Sequence, residues 1–237
     1  MTQIAYKITT ARNTTYKETK WGEGVLHTTS GEGPLCKSGW IHTYNDPLIG
    51  LFMNPIHGHF EEPFHLWECE VSGKFLDDRG LMQGWSEVRT VKLIDIPEIT
   101  TVNRVAFGIL AAKQVYFNTA WNTWADNWLA NIDRVAAFNA ADAAYAAYAA
   151  ASNGATYAAA AYAAFYAAYA AFNATYADAA YAANAAAFNA AYAAAYAATY
   201  AAAYAAANAA TYAAPYAAPY AAAINFHEIA NQAMLIK

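Results

Sequence analysis

Tyr192-Ala193-Ala194-Ala195-Tyr196-Ala197-Ala198-Thr199-Tyr200-Ala201-Ala202-Ala203-Tyr204 is the stretch on which the reading of this chain turns. Alanine is the strongest helix former, and tyrosine returns here at every fourth position. Tyr212, Tyr216 and Tyr220 continue the spacing, with Asn208 in the vacant slot. Four residues advance about 400° on an α-helix, so the stripe drifts about 40° at each step. Over the whole run it would wrap most of the way round one helix. The tract is therefore expected to divide into shorter helices. Breaks are expected at Ser152-Asn153-Gly154 and near Pro215 and Pro219, where an interior proline costs about 3 kcal/mol. Alanine faces let helix axes approach closely, at or below about 8–10 Å. Tyrosine rings would fill the seams and keep their hydroxyls in water.

Outward from that stretch, residues 136–223 are almost entirely alanine and tyrosine, and no lysine or arginine stands between Arg134 and Lys237. Asp142 and Asp178 are the only charges before the final segment. Such a tract lacks catalytic equipment and reads as scaffold, packing surface or assembly surface. Residues 224–236 regain ordinary amphipathic composition and are expected to form a capping helix. Residues 143–177 and 179–227 lack charge and exceed a membrane span in length. Leucine, isoleucine and valine are nevertheless absent until Ile224, and Asn, Thr and Tyr recur throughout. Packed helices are expected, with no membrane partner.

Residues 1–134 hold 12 basic and 15 acidic side chains, and the whole chain carries −5. Neither part offers a basic surface for phosphates, so no nucleic-acid partner is expected. Cys36 and Cys69 are too few for a disulfide framework or a four-cysteine zinc site and read as reduced thiols of a cytoplasmic protein. Met1-Thr2-Gln3-Ile4-Ala5-Tyr6-Lys7 has no basic region followed by an apolar core, so no signal peptide is read there.

The spans 24–29, 39–44, 65–71 and 88–96 read as strands bounded by Gly, Pro or Asp. In Leu66-Trp67-Glu68-Cys69-Glu70-Val71 the apolar Trp67, Cys69 and Val71 alternate with Glu68 and Glu70, the pattern of a half-buried strand. Asp46 is placed to cap a short helix through 48–53 with Pro47 at its first position. Ser72-Gly73 and Asp77-Asp78-Arg79-Gly80 read as turns. Helix is expected after Ile99, with Thr101 as N-cap. A second helix over 119–129 places Trp121, Trp124 and Trp128 on one stripe, expected as a core seam where the array docks onto the sheet domain. The fold class is thus α+β: a small, mostly antiparallel β-rich domain at 1–100, connecting helices at 101–134, and an Ala/Tyr helical array at 135–237.

Two clusters could carry chemistry. Alternation puts Trp40, His42 and Tyr44 on one face of a strand, where they would line a pocket for a planar, nucleotide-like ligand or form a sheet core. Trp67 and Glu87 are further candidates for that pocket. His57 and His59, in an extended stretch, would share one face and suit a divalent metal, with His65 or Glu61 completing the set; otherwise the segment is a polar loop. There is no glycine-rich phosphate loop, no G-x-S-x-G elbow and no H-E-x-x-H motif, so no resident cofactor is expected.

Several segments together resemble one family. They are Leu35-Cys36-Lys37-Ser38-Gly39-Trp40-Ile41-His42, Asp46-Pro47-Leu48, Asn54-Pro55-Ile56-His57, Leu66 to Gly73, Arg104-Val105-Ala106-Phe107-Gly108-Ile109-Leu110 and Trp121-Asn122-Thr123-Trp124-Ala125-Asp126. The family is one of phage and bacterial proteins with a small β-rich N-terminal domain and an alanine-rich helical tail. The resemblance implies the two-part fold and a closing helix at Ile224-Asn225-Phe226, but no catalytic residues. It depends on pattern over about residues 20–135 and on composition beyond. Gly39 to Leu48 also resembles the strand–turn–helix beside the nicotinamide in ADP-ribosyltransferase-like folds, which would give His42 and Tyr44 pocket roles, make Glu87 the acidic residue and bring NAD as cofactor. The leading expectation is a non-enzymatic, phage-type binding protein holding a small molecule or a host protein. The alternatives are an NAD-using transferase and a self-assembling helical array, a homo-oligomer.

Overall fold

The computed structural model describes residues 3–132, 134, 137–150, 155–176, 179–211 and 224–237. It is an α+β protein with an antiparallel sheet. The chain separates into two compact units, Met1–Glu98 and Ile99–Lys237. The two helices read as connectors fall in the second unit.

The first unit contains β1 (Gln3–Thr10), β2 (Thr14–Thr15), β3 (Thr19–Lys20), β4 (Leu26–Thr28), β5 (Ile41–Thr43), α1 (Pro47–His57), β6 (Phe64–Asp77) and β7 (Gln83–Ile94). β1 pairs with β6, β6 with β7, and β7 with both β4 and β5, all antiparallel. A single bridge, Tyr6 to Tyr44, carries the path from the end of β5 back to β1. The sheet thereby curls on itself into a small, partly closed barrel. Its interior is built from Ala5, Trp21, Ile41, Trp67, Cys69, Val71, Trp85 and Val88, all buried.

Local chemistry accounts for the other elements. The Asp46 carboxylate accepts the amides of Leu48 and Ile49 at 2.7 and 3.2 Å, and Pro47 opens the helix. The helix runs past the expected Met53 to His57, burying Ile49, Leu51, Phe52 and Met53. Ser72-Gly73 is not a turn. β6 continues through it with a register shift between Ser72 and Phe75, a bulge that lets the long strand bend. The turn between β6 and β7 lies at Asp77–Gly80, where the Gly80 amide donates to the Asp77 carboxylate at 2.8 Å.

The second unit contains α2 (Thr101–Lys113), α3 (Thr119–Leu129), α4 (Ala137–Ala150), α5 (Ala155–Tyr176), α6 (Ala179–Thr211) and α7 (Phe226–Met234). The cap of α2 is Thr100, one residue before the expected Thr101, because Thr100 and Asn103 satisfy each other's amides in a capping box. α3 matches the span set by the tryptophan spacing, and Trp121, Trp124 and Trp128 are buried. The Trp121 indole donates to the Ala164 carbonyl of α5 at 3.2 Å, so the stripe is tied to the helical array itself.

The expected division of the tyrosine tract into short helices does not hold over α6, a single helix of 33 residues. The buried side chains explain why. Ala186, Ala190, Ala191, Ala193, Ala194, Ala197 and Ala198 face inward, and alanine is available on every side of the helix. A drifting tyrosine stripe requires a break only if the tyrosines must form the core. The breaks expected at Ser152-Asn153-Gly154 and near Pro215 and Pro219 lie outside the described residues. Among the described residues no helix is long and apolar enough to cross a membrane.

Candidate functional sites

Trp40, His42 and Tyr44 lie on and around β5, as the alternation predicts. Each is engaged by the protein itself. The Trp40 indole donates to the Gly33 carbonyl at 2.8 Å, and His42 Nε2 donates to the Leu35 carbonyl at 2.6 Å. The loop carrying those carbonyls is folded back on the strand, with the Gly31 amide donating to the Gly39 carbonyl at 2.9 Å. Tyr44 is buried and its ring stacks on His57 with centroids 6.0 Å apart, the hydroxyl lying 3.5 Å from His57 Nδ1.

Burial governs the titration of this cluster. It holds the His57 imidazole down to about 4, with partial relief from Asp78 and a further push from His42. It also lowers His42, offset by the Leu35 carbonyl and reinforced by Lys7. The Tyr44 phenol is pushed up by burial. The site is therefore a neutral, stacked aromatic knot at physiological pH.

The remaining candidates do not converge on it. Glu87 pairs with Thr28 and is exposed, its carboxylate accepting the Ser72 hydroxyl at 2.7 Å. His42 pairs with Gly84, three residues from Glu87 along β7 and across a register shift in the β6–β7 pairing. Trp67 is in the barrel interior, its indole donating to Thr9 Oγ1 at 3.2 Å. His57, His59 and His65 also fail to share a face. His57 closes α1, His59 sits at φ 48 in the loop, and His65 is the second residue of β6, with Nδ1 2.5 Å from Asn13 Oδ1. The extended geometry needed for paired ligands is not formed, because α1 runs through His57. Among the described residues no group of three or more His, Cys, Asp or Glu is placed to hold a metal ion.

Two features escaped the sequence reading. One is Lys7, buried on β1 within the barrel. Its ammonium donates to the His42 carbonyl at 2.9 Å and lies 4.6 Å from the Trp21 ring centroid. The alternation Ala5, Lys7, Thr9 marks the inward face of β1, but small and polar residues hide it from a search for apolar periodicity.

The other is an aromatic layer on the helical unit. On α5 the rings Tyr162, Phe165, Tyr166, Tyr169 and Phe172 recur at helical spacing, while Ala160, Ala161, Ala163, Ala164, Ala167, Ala168, Ala170 and Ala171 are buried. The usual amphipathic rule is inverted in size: methyl groups face in and large rings face out. Tyr162 stacks on Tyr196 of α6 at 5.0 Å, Tyr166 on Tyr192 at 5.3 Å, and Phe165 meets Tyr145 of α4 at 5.5 Å. The hydrogen bond of its hydroxyl to Tyr148, then burial and the neighbouring phenols, hold the Tyr162 phenol up to about 12. Three helices thus present one stacked, neutral surface, in which Tyr145, Tyr169 and Tyr192 remain 51%, 37% and 42% exposed.

Fold and sites together define a two-unit α+β protein with an aromatic-faced helical unit. Comparison of the chain with protein-family models, with curated proteins and with solved structures finds no match in any of the three.

Proposed function

We propose that this chain is a non-enzymatic binding protein of phage type, whose helical unit takes a protein partner on its aromatic layer. The observation that carries the reading is the stack of Tyr145, Phe165, Tyr166, Tyr169, Tyr192 and Tyr196 across three helices, with half-exposed rings. Tyrosine is enriched where proteins meet, because a rigid ring contributes large contact area at little entropic cost while its hydroxyl still bonds to water. The layer carries no charge, so its partner would offer methyl groups or guanidinium planes to the ring faces. Free thiols at Cys36 and Cys69 fit a cytoplasmic setting.

The small-ligand reading at Trp40, His42 and Tyr44 has less support, since the Gly33 and Leu35 carbonyls take the polar tips a ligand would use. The NAD-using reading has less support, since the Glu87 carboxylate is exposed and already accepts the Ser72 hydroxyl.

The test is a double variant, Tyr169→Glu with Tyr192→Glu, in tagged full-length protein exposed to bacterial lysate. The wild type is expected to recover a discrete protein by mass spectrometry, and the variant to lose at least tenfold of it while melting normally. Equal recovery by both would overturn the reading. A chain that sediments as a defined oligomer, lost in the variant, would favour the self-assembling alternative.

A further inference from the structure

In the interior of the β-rich unit two neighbouring polar groups, Lys7 and Thr43, are left short of partners among the described residues. Tyr6 and Tyr44 exchange both backbone hydrogen bonds at 2.8 Å. One step along that antiparallel register sets Lys7 opposite Thr43 as a non-hydrogen-bonded pair, the position at which cross-strand side chains come closest. Lys7 is 7% exposed and Thr43 is fully buried.

An ammonium has three donors and no acceptor. One proton of Lys7 goes to the His42 carbonyl, and the Trp21 ring lies near the charge. Among the described residues no carboxylate lies within salt-bridge distance of Nζ. Thr43 Oγ1 is buried with no hydrogen-bond partner. Thr29 Oγ1, just past the end of β4, is also unpartnered, whereas the inward threonines of β1 and β7 are engaged. Thr9 Oγ1 donates to the Thr10 carbonyl and accepts the Trp67 indole, and Thr90 donates to the Gly22 carbonyl.

We infer that the β-rich unit binds a small monovalent anion of halide type between the Lys7 ammonium and the Thr43 hydroxyl. Two donors then converge on one acceptor, and the buried charge is neutralised where it sits. A water molecule would complete the hydrogen bonds but leave the charge uncompensated among three tryptophans, a costly arrangement in a medium of low polarity. Burial also drives the Cys69 thiol up to about 12, so it stays protonated and supplies no counter-charge.

The test uses crystals of the full chain soaked in sodium bromide, with data collected at the bromine absorption edge. The expected result is an anomalous peak within about 3.5 Å of both Lys7 Nζ and Thr43 Oγ1. Density without anomalous signal, or a dry interior, would overturn the inference. In solution, the unfolding midpoint is followed against chloride, with gluconate holding ionic strength constant. Chloride is expected to raise it through preferential binding to the folded chain. Thr43→Val should weaken the apparent chloride affinity about tenfold, the effect of one lost hydrogen bond. Lys7→Met should abolish the dependence, and if that variant fails to fold, Thr43→Val carries the test alone. A wild-type midpoint indifferent to the exchange of chloride for gluconate would also overturn the inference.

Discussion

Gly108 of α2 faces Ala190 of α6 so closely that a β-carbon built on it would lie 2.9 Å from the Ala190 α-carbon. Backbone meets backbone at this crossing, which is the close approach that alanine faces permit. A methyl group there would recover about 1 kcal/mol of helix propensity relative to glycine. Overpacking a tight crossing costs typically about 1–3 kcal/mol. Gly108→Ala is therefore expected to lose about 1 kcal/mol of stability, and Gly108→Val at least twice that. Chemical denaturation with an unchanged slope checks it. A more stable Gly108→Ala would show that the two helices can separate without penalty.

Asn103 joins the start of one helix to the end of another. Its Oδ1 accepts the Thr100 amide at 3.0 Å, and its Nδ2 donates to the Ala233 and Ile236 carbonyls at 2.9 and 3.0 Å. Asn103→Ala is expected to cost roughly 2–3 kcal/mol, combining a lost cap with stranded carbonyls at the end of α7. Asn103→Asp keeps the acceptor and loses the donors. In that variant hydrogen exchange should quicken at 226–236 while the first turn of α2 stays protected. Equal acceleration at both ends would mean that the cap and the clasp cannot be separated.

What could be read from the sequence follows how far each element depends on its own residues. Asp46-Pro47 announces α1 because a cap and a fixed φ are local, and the spacing of Trp121, Trp124 and Trp128 announces α3 for the same reason. β1 was not legible, since its inward residues are Ala5, Lys7 and Thr9 and only tertiary burial identifies them as interior. The tyrosine stripe was legible as a stripe, but its role was not. Whether Tyr166 lies in the core or on the surface depends on which neighbours α5 meets. The face shared by Trp40, His42 and Tyr44 was foreseen. The Gly33 and Leu35 carbonyls that occupy it come from a loop whose fold no periodicity encodes.

His57 gives the fold an acid limit. Its imidazole is held down to about 4 from an ordinary 6.5, chiefly by burial. Between those values the unfolded chain binds a proton that the folded chain refuses, so stability falls as pH drops through the window. The full shift corresponds to about 3 kcal/mol, and partial exposure reduces the expected loss to about 2 kcal/mol. His57→Phe retains a ring against Tyr44 without a titrating group. It should remove most of the decline between pH 6.5 and 4, measured as unfolding free energy against the wild type. Parallel curves for the two proteins would place the acid sensitivity elsewhere.

Lys7 and Cys69 act in opposite directions at alkaline pH. Burial lowers the Lys7 ammonium to about 8 from 10.5, with Cys69 working against the shift. Between those values the unfolded chain holds the extra proton, so stability rises with pH, by about 1 kcal/mol from pH 8 to 9. Burial raises the Cys69 thiol to about 12 from 9.0. There the folded chain retains the proton, so stability falls as pH climbs from 9 towards 12. In chloride-free buffer the wild type should therefore gain stability from pH 8 to 9 and level off or decline above that. Lys7→Met removes the rising limb and leaves the decline, whereas Cys69→Ala removes the decline and leaves the rise. Because the two groups share one interior with His42 as the neighbouring titratable side chain, the double variant should be nearly flat from pH 8 to 10. A wild-type curve that falls steadily from pH 8 would mean that Lys7 titrates as a solvated amine, and the buried-charge account of the barrel interior would fail with it.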